Sequence, residues 1–184
     1  MIRWLINWKL KKFDREFNYD STYAREIMDG GLGAILQFAK AAKLSDYRNR
    51  MPLEAWYAAK LATIFAEDCG PCTQLVVKMA ERDGVKAETL RAVLAGDSSK
   101  LEPDAGLAYQ FARAVDERDL ERSDELRKEV VKRWGQKGLV SLALMMTGTR
   151  IYPDVKYALG HGHACTMVKV GGTATPLLHR AASS

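Results

Sequence analysis

Cys69-Gly70-Pro71-Cys72-Thr73-Gln74-Leu75-Val76-Val77-Lys78-Met79-Ala80 is the stretch on which the reading of this chain turns. Two cysteines three apart lie on one side of a helical turn, near enough to form a disulfide or to share a metal. Pro71 suits the first turn of a helix, where its missing N–H is not needed, and Asp68 stands ahead of it as a candidate N-cap. From there Cys72, Leu75, Val76, Met79 and Ala80 recur at the spacings of one helix face, so Cys72 points with that stripe toward a core. Backbone N–H groups and the helix dipole at such a start favour a Cys69 thiolate, whereas Glu67 and Asp68 work against it. The spacing favours a redox pair. Two unlinked buried thiols and a metal site are the alternatives.

Helices extend outward on both sides. Pro52 opens one over residues 53–66, with Leu53, Tyr57, Leu61, Ile64 and Phe65 as its apolar side. Gly84 stops the helix that begins at the cysteines, a short helix over 88–95 ends at Gly96, and Pro103 starts the next with Leu107, Phe111, Ala114 and Val115 inward. Ser123 can cap another, acids leading and bases trailing, which Gly135 or Gly138 ends. Residues 139–146 read as a buried helix whose methionines are core filler. Toward the N-terminus, Asp20-Ser21-Thr22 caps a short helix that stops at Gly30-Gly31. A further helix covers 32–43 with Ile35, Phe38, Ala39 and Ala42 at helical spacing, and 46–50 is a charged connector. From Gly160 onward glycines and threonines mark an irregular tail. The expected fold is all-α, a single-domain helical bundle in three stretches: an N-terminal extension (1–51), a core carrying the C-x-x-C (52–159) and a glycine-rich tail (160–184).

A chain of 184 residues suffices for one domain with a substantial core. Its 47% hydrophobic and 28% charged residues fit a soluble globular protein. The net charge of +5 is spread among interleaved acids, and no aromatic-and-basic module argues for nucleic acid. Three cysteines do not make a secreted disulfide framework. The apolar opening over residues 1–8 is too short for a signal peptide or a bilayer span, so the expected location is the cytoplasm. Trp4, Leu5, Trp8, Leu10 and Phe13 alternate with Lys9, Lys11, Lys12 and Arg15. This pattern reads as a helix packed on its own domain or a neighbouring subunit in preference to one lying on anionic lipid.

Four segments fall in an order that carries a resemblance: Ala66-Glu67-Asp68-Cys69-Gly70-Pro71-Cys72, then Met79-Ala80-Glu81-Arg82-Asp83-Gly84-Val85, Thr89-Leu90-Arg91-Ala92-Val93-Leu94-Ala95-Gly96 and Leu107-Ala108-Tyr109-Gln110-Phe111-Ala112-Arg113-Ala114-Val115. Over residues 52–138 the chain resembles the carboxymuconolactone decarboxylase and alkyl-hydroperoxidase D-like family. The resemblance implies an all-α bundle, assembly into homo-trimers or hexamers, and, because the cysteine pair is present, the thiol peroxidase or disulfide reductase branch. Cys72 then resembles the cysteine that attacks peroxide and Cys69 its disulfide partner. The peroxidase members carry a glutamate twelve residues before the first cysteine and histidines just before and four after the second, forming a proton relay. Tyr57, Pro71 and Val76 occupy those places here. Residue 76 lies one helical turn above residue 72, so an apolar group sits where the base would be. Glu54, one turn before Tyr57, and Glu67, close to the thiols in sequence, are the candidate replacements, and Tyr57 is a possible hydrogen-bond donor. Cys-Gly-Pro-Cys is also the thioredoxin tetrapeptide, but the flanks here are helical and Asp68 stands where thioredoxins have tryptophan.

His161-Gly162-His163-Ala164-Cys165 places three potential metal ligands in five residues. Incidental histidines in a glycine-rich tail are the preferred reading. A third reading folds this tail over the cysteine pair to supply the missing histidine. His179 is expected at the solvent, and Arg150 as a charge at the end of the apolar helix. The function expected is thiol–disulfide exchange or peroxide reduction through Cys69 and Cys72, with Glu67, Tyr57 and Glu54 as auxiliary site residues, no organic cofactor and no metal. The alternative is a non-catalytic helical oligomer that binds a small acid or a partner protein, its cysteines structural or redox-sensing.

Overall fold

The computed structural model describes residues 2–164, 166–175 and 177. Among these are eight α-helices followed by one β-hairpin: α1 Ile2–Phe17, α2 Thr22–Gly30, α3 Leu32–Ala42, α4 Leu53–Ala66, α5 Gly70–Arg82, α6 Ala87–Ala95, α7 Pro103–Asp116, α8 Leu120–Ala158, β1 Val168–Val170 and β2 Thr173–Thr175. No helix among the described residues is long and apolar enough to cross a membrane.

The organising helix is α4. Sequence periodicity gave it one apolar side, but every residue from Ala55 to Phe65 is buried. Alanines at 55, 58, 59 and 62 supply the faces between the large side chains, so α5, α6, α7 and α8 all pack against it. The largest share of that contact is with α7, and Leu61, Ile64, Leu90, Leu94, Leu142 and Met145 fill the space between the helices. A second, smaller apolar cluster joins the N-terminal helices to the far end of α8: Tyr23, Ala24, Met28 and Ile35, flanked by Ile6, Leu10, Phe38 and Tyr152. The inner side of α1 packs there, and Asp14–Arg25 (2.6 Å) and Glu16–Arg82 (3.2 Å) pin it. Its outer side leaves Ile2, Trp4, Leu5 and Trp8 exposed.

Several local expectations need correction. The cap of α8 is Asp119, whose carboxylate accepts the Arg122 N–H at 3.0 Å, while Ser123 is buried inside the helix. Gly135 breaks that helix through a left-handed φ of 69° but does not end it, and the helical run resumes at once and carries on through Pro153. Arg150 therefore sits within the helix, not at its end. Asp68 does not cap α5. Cys69 is the N-cap residue, in extended backbone, and Asp68 before it has a left-handed φ of 51°. The tail is not wholly irregular either: Val168, Lys169 and Val170 pair antiparallel with Thr175, Ala174 and Thr173.

Candidate functional site

The site begins where α4 ends. Chain reversal at Asp68 is held by the Tyr157 hydroxyl, which donates to the Asp68 carbonyl at 2.8 Å. Cys69 follows, and its carbonyl accepts both the Thr73 N–H (2.8 Å) and the Thr73 hydroxyl (2.9 Å), closing the first turn of α5. Pro71 stands in that turn, as its fixed φ and missing donor allow. The Cys69 and Cys72 sulfurs are at disulfide distance, 2.18 Å, with 5.2 Å between the Cα atoms. Both residues are buried, Cys69 at 0% and Cys72 at 3% exposure.

The tail does return to the cysteines. The His163 carbonyl accepts the Gly70 N–H at 2.9 Å, and Gly162 lies so close to the Tyr157 ring that an added Cβ would overlap it. The hairpin is then clipped along α5. Gln74 acts as a mimic of a peptide strand edge, donating from Nε2 to the Lys169 carbonyl (2.9 Å) and accepting the Lys169 N–H at Oε1 (2.8 Å). Glu81 accepts the Gly171 N–H at 2.5 Å, and Arg91 donates to the Val170 carbonyl at 3.3 Å. Val168 and Val170 are fully buried beneath these bonds. What the tail brings to the cysteines is main chain. The His161 ring hydrogen-bonds Glu26 at 2.7 Å, the His163 side chain is exposed, and no histidine ring hydrogen-bonds either sulfur among the described residues. Nor do the described residues contain a His/Cys/Asp/Glu group able to hold a metal, while Cys165 and His179 lie outside them.

The tail also changes the electrostatics of the helix start. Of the first three positions of α5, Gly70 spends its N–H on His163 and Pro71 has none, which leaves the N–H of Cys72. The anion-stabilising field expected at that end is thinner than a bare helix terminus provides.

The three auxiliary residues are engaged elsewhere. The Tyr57 hydroxyl donates to Asp83 at 2.6 Å, and burial, reinforced by that carboxylate, pushes its pKa well above the ordinary phenol value. Asp83 is held below the usual carboxylate range: its partial burial acts the other way, but the hydrogen bonds from Tyr57 and Arg82 outweigh it. Glu54 accepts the Lys86 N–H at 2.9 Å and so secures the approach to α6. Glu67 pairs with Arg150 Nε at 3.2 Å, and the same guanidinium contacts the buried Asp116. Arg150 thus ties the ends of α4 and α7 to α8. Tyr57, Glu54 and Glu67 all hold helices together through these contacts, and none hydrogen-bonds a sulfur among the described residues.

On its other flank α5 borders a cavity of about 550 Å³ between the N-terminal helices and the core. Cys72, Leu75, Val76 and Met79 form one wall; Phe13, Tyr23, Ile35, Phe38 and Tyr152 form the facing walls. Val76, one helical turn after Cys72, adds its methyl groups to the same wall. Lys60 of α4 reaches the same space. Only 4% exposed, it donates to the Ser45 carbonyl at 2.9 Å and lies 4.4 Å from the centre of the Trp56 ring. Burial pulls its pKa down to about 8, partly offset by Asp46 at 3.7 Å. Sequence reasoning passed over Lys60, although it and Glu54 are the only charges in the apolar run of α4. The facing aromatic residues carried no signal, because they come from elements far apart in the chain.

Comparison with known proteins finds no matching family model, no matching curated protein and no matching solved structure.

Proposed function

We propose that the protein is a thiol–disulfide oxidoreductase of the hydroperoxidase D-like type, working through Cys69 and Cys72. The observation that carries this reading is the pair itself: two cysteines at disulfide distance at a helix start, one of them bordering a cavity. In the reduced protein a Cys72 thiolate attacks a partner disulfide, Cys69 attacks the Cys72 sulfur of the resulting mixed disulfide and displaces the partner thiolate, and the partner leaves with two electrons and two protons as a dithiol. With a peroxide, the thiolate takes the distal oxygen, an alcohol leaves, and Cys69 condenses with the sulfenic acid to give the Cys69–Cys72 disulfide and water. An external dithiol returns the two electrons in either case.

Chemistry decides between these substrates. Peroxide cleavage gains from a base beside the thiol and an acid beside the leaving oxygen. Val76 and Pro71 supply neither, and Tyr57 is committed to Asp83. Disulfide exchange needs only a modest thiolate fraction. The reading is therefore a competent dithiol exchanger and a slow peroxidase, in a cytoplasmic homo-oligomer.

The burial of both sulfurs favours one rival reading, in which the pair is a structural staple of a non-catalytic oligomer. Equilibration of the native protein with dithiothreitol redox buffers, followed by acid trapping and mass measurement, separates the two. Reversible gain and loss of two protons without unfolding supports the oxidoreductase. A pair that changes state only in denaturant supports the staple.

A further inference from the structure

We propose that the cavity between the N-terminal helices and α4–α5 is a binding site for a single-chain anionic amphiphile, its carboxylate at Lys60 and its hydrocarbon chain along Val76 toward Cys72. The inference is independent of the redox reading, because it uses the cavity walls and a lysine, and Cys72 enters only as wall.

Size and lining come first. About 550 Å³ falls inside the range of roughly 300–1,000 Å³ typical of small-molecule sites. Aromatic and aliphatic side chains make up nearly all of the walls, from Phe13, Phe38 and Tyr152 on one side to Ile64, Leu75 and Val76 on the other. Ser45, Asp46 and Lys60 form one polar group in the lining, joined by the Lys60 contacts, while Lys9, Ser21, Lys43 and Thr149 are further polar lining residues. An apolar space with a few converging polar groups takes a ligand with one apolar and one polar end.

Charge selects the head group. Lys9, Lys43 and Lys60 line the cavity against one carboxylate, Asp46. Lys60 is the buried one, and its ammonium has three donors. One goes to the Ser45 carbonyl, the centre of the Trp56 ring lies 4.4 Å away, and Asp46 at 3.7 Å is beyond hydrogen-bond length. The Asp46 side chain is 69% exposed, so it lies mostly in solvent and offers the ammonium a loose partner. A buried ammonium with spare donors calls for an anionic acceptor from within the cavity. Lys9, Leu36 and Lys43 are exposed residues of the same lining, so its solvent-facing part carries apolar surface and positive charge.

Dodecanoate is the probe, measured by titration calorimetry below its micellar concentration, with dodecanol and dodecyltrimethylammonium as chain-matched controls. The wild-type protein is expected to bind dodecanoate at one saturable site and the cationic amphiphile at least tenfold more weakly. Lys60→Met should weaken dodecanoate about tenfold, the scale of one charge-assisted contact, and leave dodecanol unchanged. Ala39→Trp, which puts a large side chain into the cavity from an exposed position of α3, should lower the affinity for both while the circular dichroism spectrum stays that of the wild type. No saturable dodecanoate binding by folded wild-type protein overturns the proposal, as does equal binding of anionic and cationic chains or undiminished binding to folded Ala39→Trp. Reversible cycling of Cys69 and Cys72 without dodecanoate binding would leave the redox reading standing and remove this one; binding with inert cysteines would do the reverse.

Discussion

The helix that carries the cysteines is flanked by two layers of opposite character. On one side the C-terminal hairpin is sealed onto α5: Val168 and Val170 are fully buried, and Gln74, Glu81 and Arg91 satisfy the hairpin main chain. On the other side the N-terminal helices stand off and leave a cavity against Cys72 and Val76. The hairpin is held along α5 by hydrogen bonds to its main chain, whereas the N-terminal layer is tied to α5 at the Glu16–Arg82 pair and sets aromatic edges, such as Phe38 on Tyr23 and on Tyr152, around the cavity. The cavity therefore approaches Cys72 from the N-terminal side, while the hairpin covers the other side of α5.

The sharpest attack on this contrast is to spoil the seal. Val170→Asp buries an unpaired carboxylate under the hairpin and should cost about 4 kcal/mol in urea denaturation. The same charge at exposed Ala174 should cost almost nothing. Equal effects would mean that the hairpin is not a packed layer. Next comes the open side. Val76→His places an imidazole one turn above Cys72 at the cavity wall, with room for the ring. The variant should raise the alkylation rate of reduced Cys72 at pH 7 by about a hundredfold and shift its pH profile downward. No change would mean that some other group already serves as base.

Lys60 gives a smaller effect with a definite sign. Its folded-state pKa of about 8 lies below the ordinary lysine value of 10.5, so the folded state disfavours the charged form. The resulting destabilisation is complete below pH 8 and fades as pH rises toward 10.5. Lys60→Met should therefore have its largest stability advantage over the wild type at pH 7, an advantage that shrinks by about 2 kcal/mol at pH 10. A pH-independent difference in chemical denaturation would contradict this. Smallest is Gln74→Ala, which removes both clips on Lys169 and should cost about 1 kcal/mol, with faster amide exchange confined to residues 168–175.

Much of the helical frame was legible in the sequence because its signals are local. Pro52, Pro103, Gly30 and Gly96 set helix ends within a residue or two of those observed. Where a signal depended on a competing neighbour, it misled. Asp119 outcompetes Ser123 as a cap because its carboxylate reaches the Arg122 N–H, and Gly135 kinks a helix whose two halves are both held by the core. The hairpin was invisible because each strand is three residues long and its outer edge is satisfied by a glutamine some 95 positions earlier. The cysteine pair and its inward face were readable from spacing alone. Its surroundings were not: Asp83, Lys86 and Arg150 claim Tyr57, Glu54 and Glu67 through long-range pairings that no local pattern announces.

The central claim, that Cys69 and Cys72 form a working redox pair reached from the cavity, is tested most directly by an equilibrium redox titration of the native protein. Circular dichroism monitors the fold, and trapped thiols are counted at each potential. A working pair gives a single reversible two-electron transition at Cys69 and Cys72 with the helical signal unchanged, and trapping of Cys72 that is slowed when a bulky side chain at position 39 fills the cavity. A pair that stays locked at every potential until the helices melt would contradict that claim.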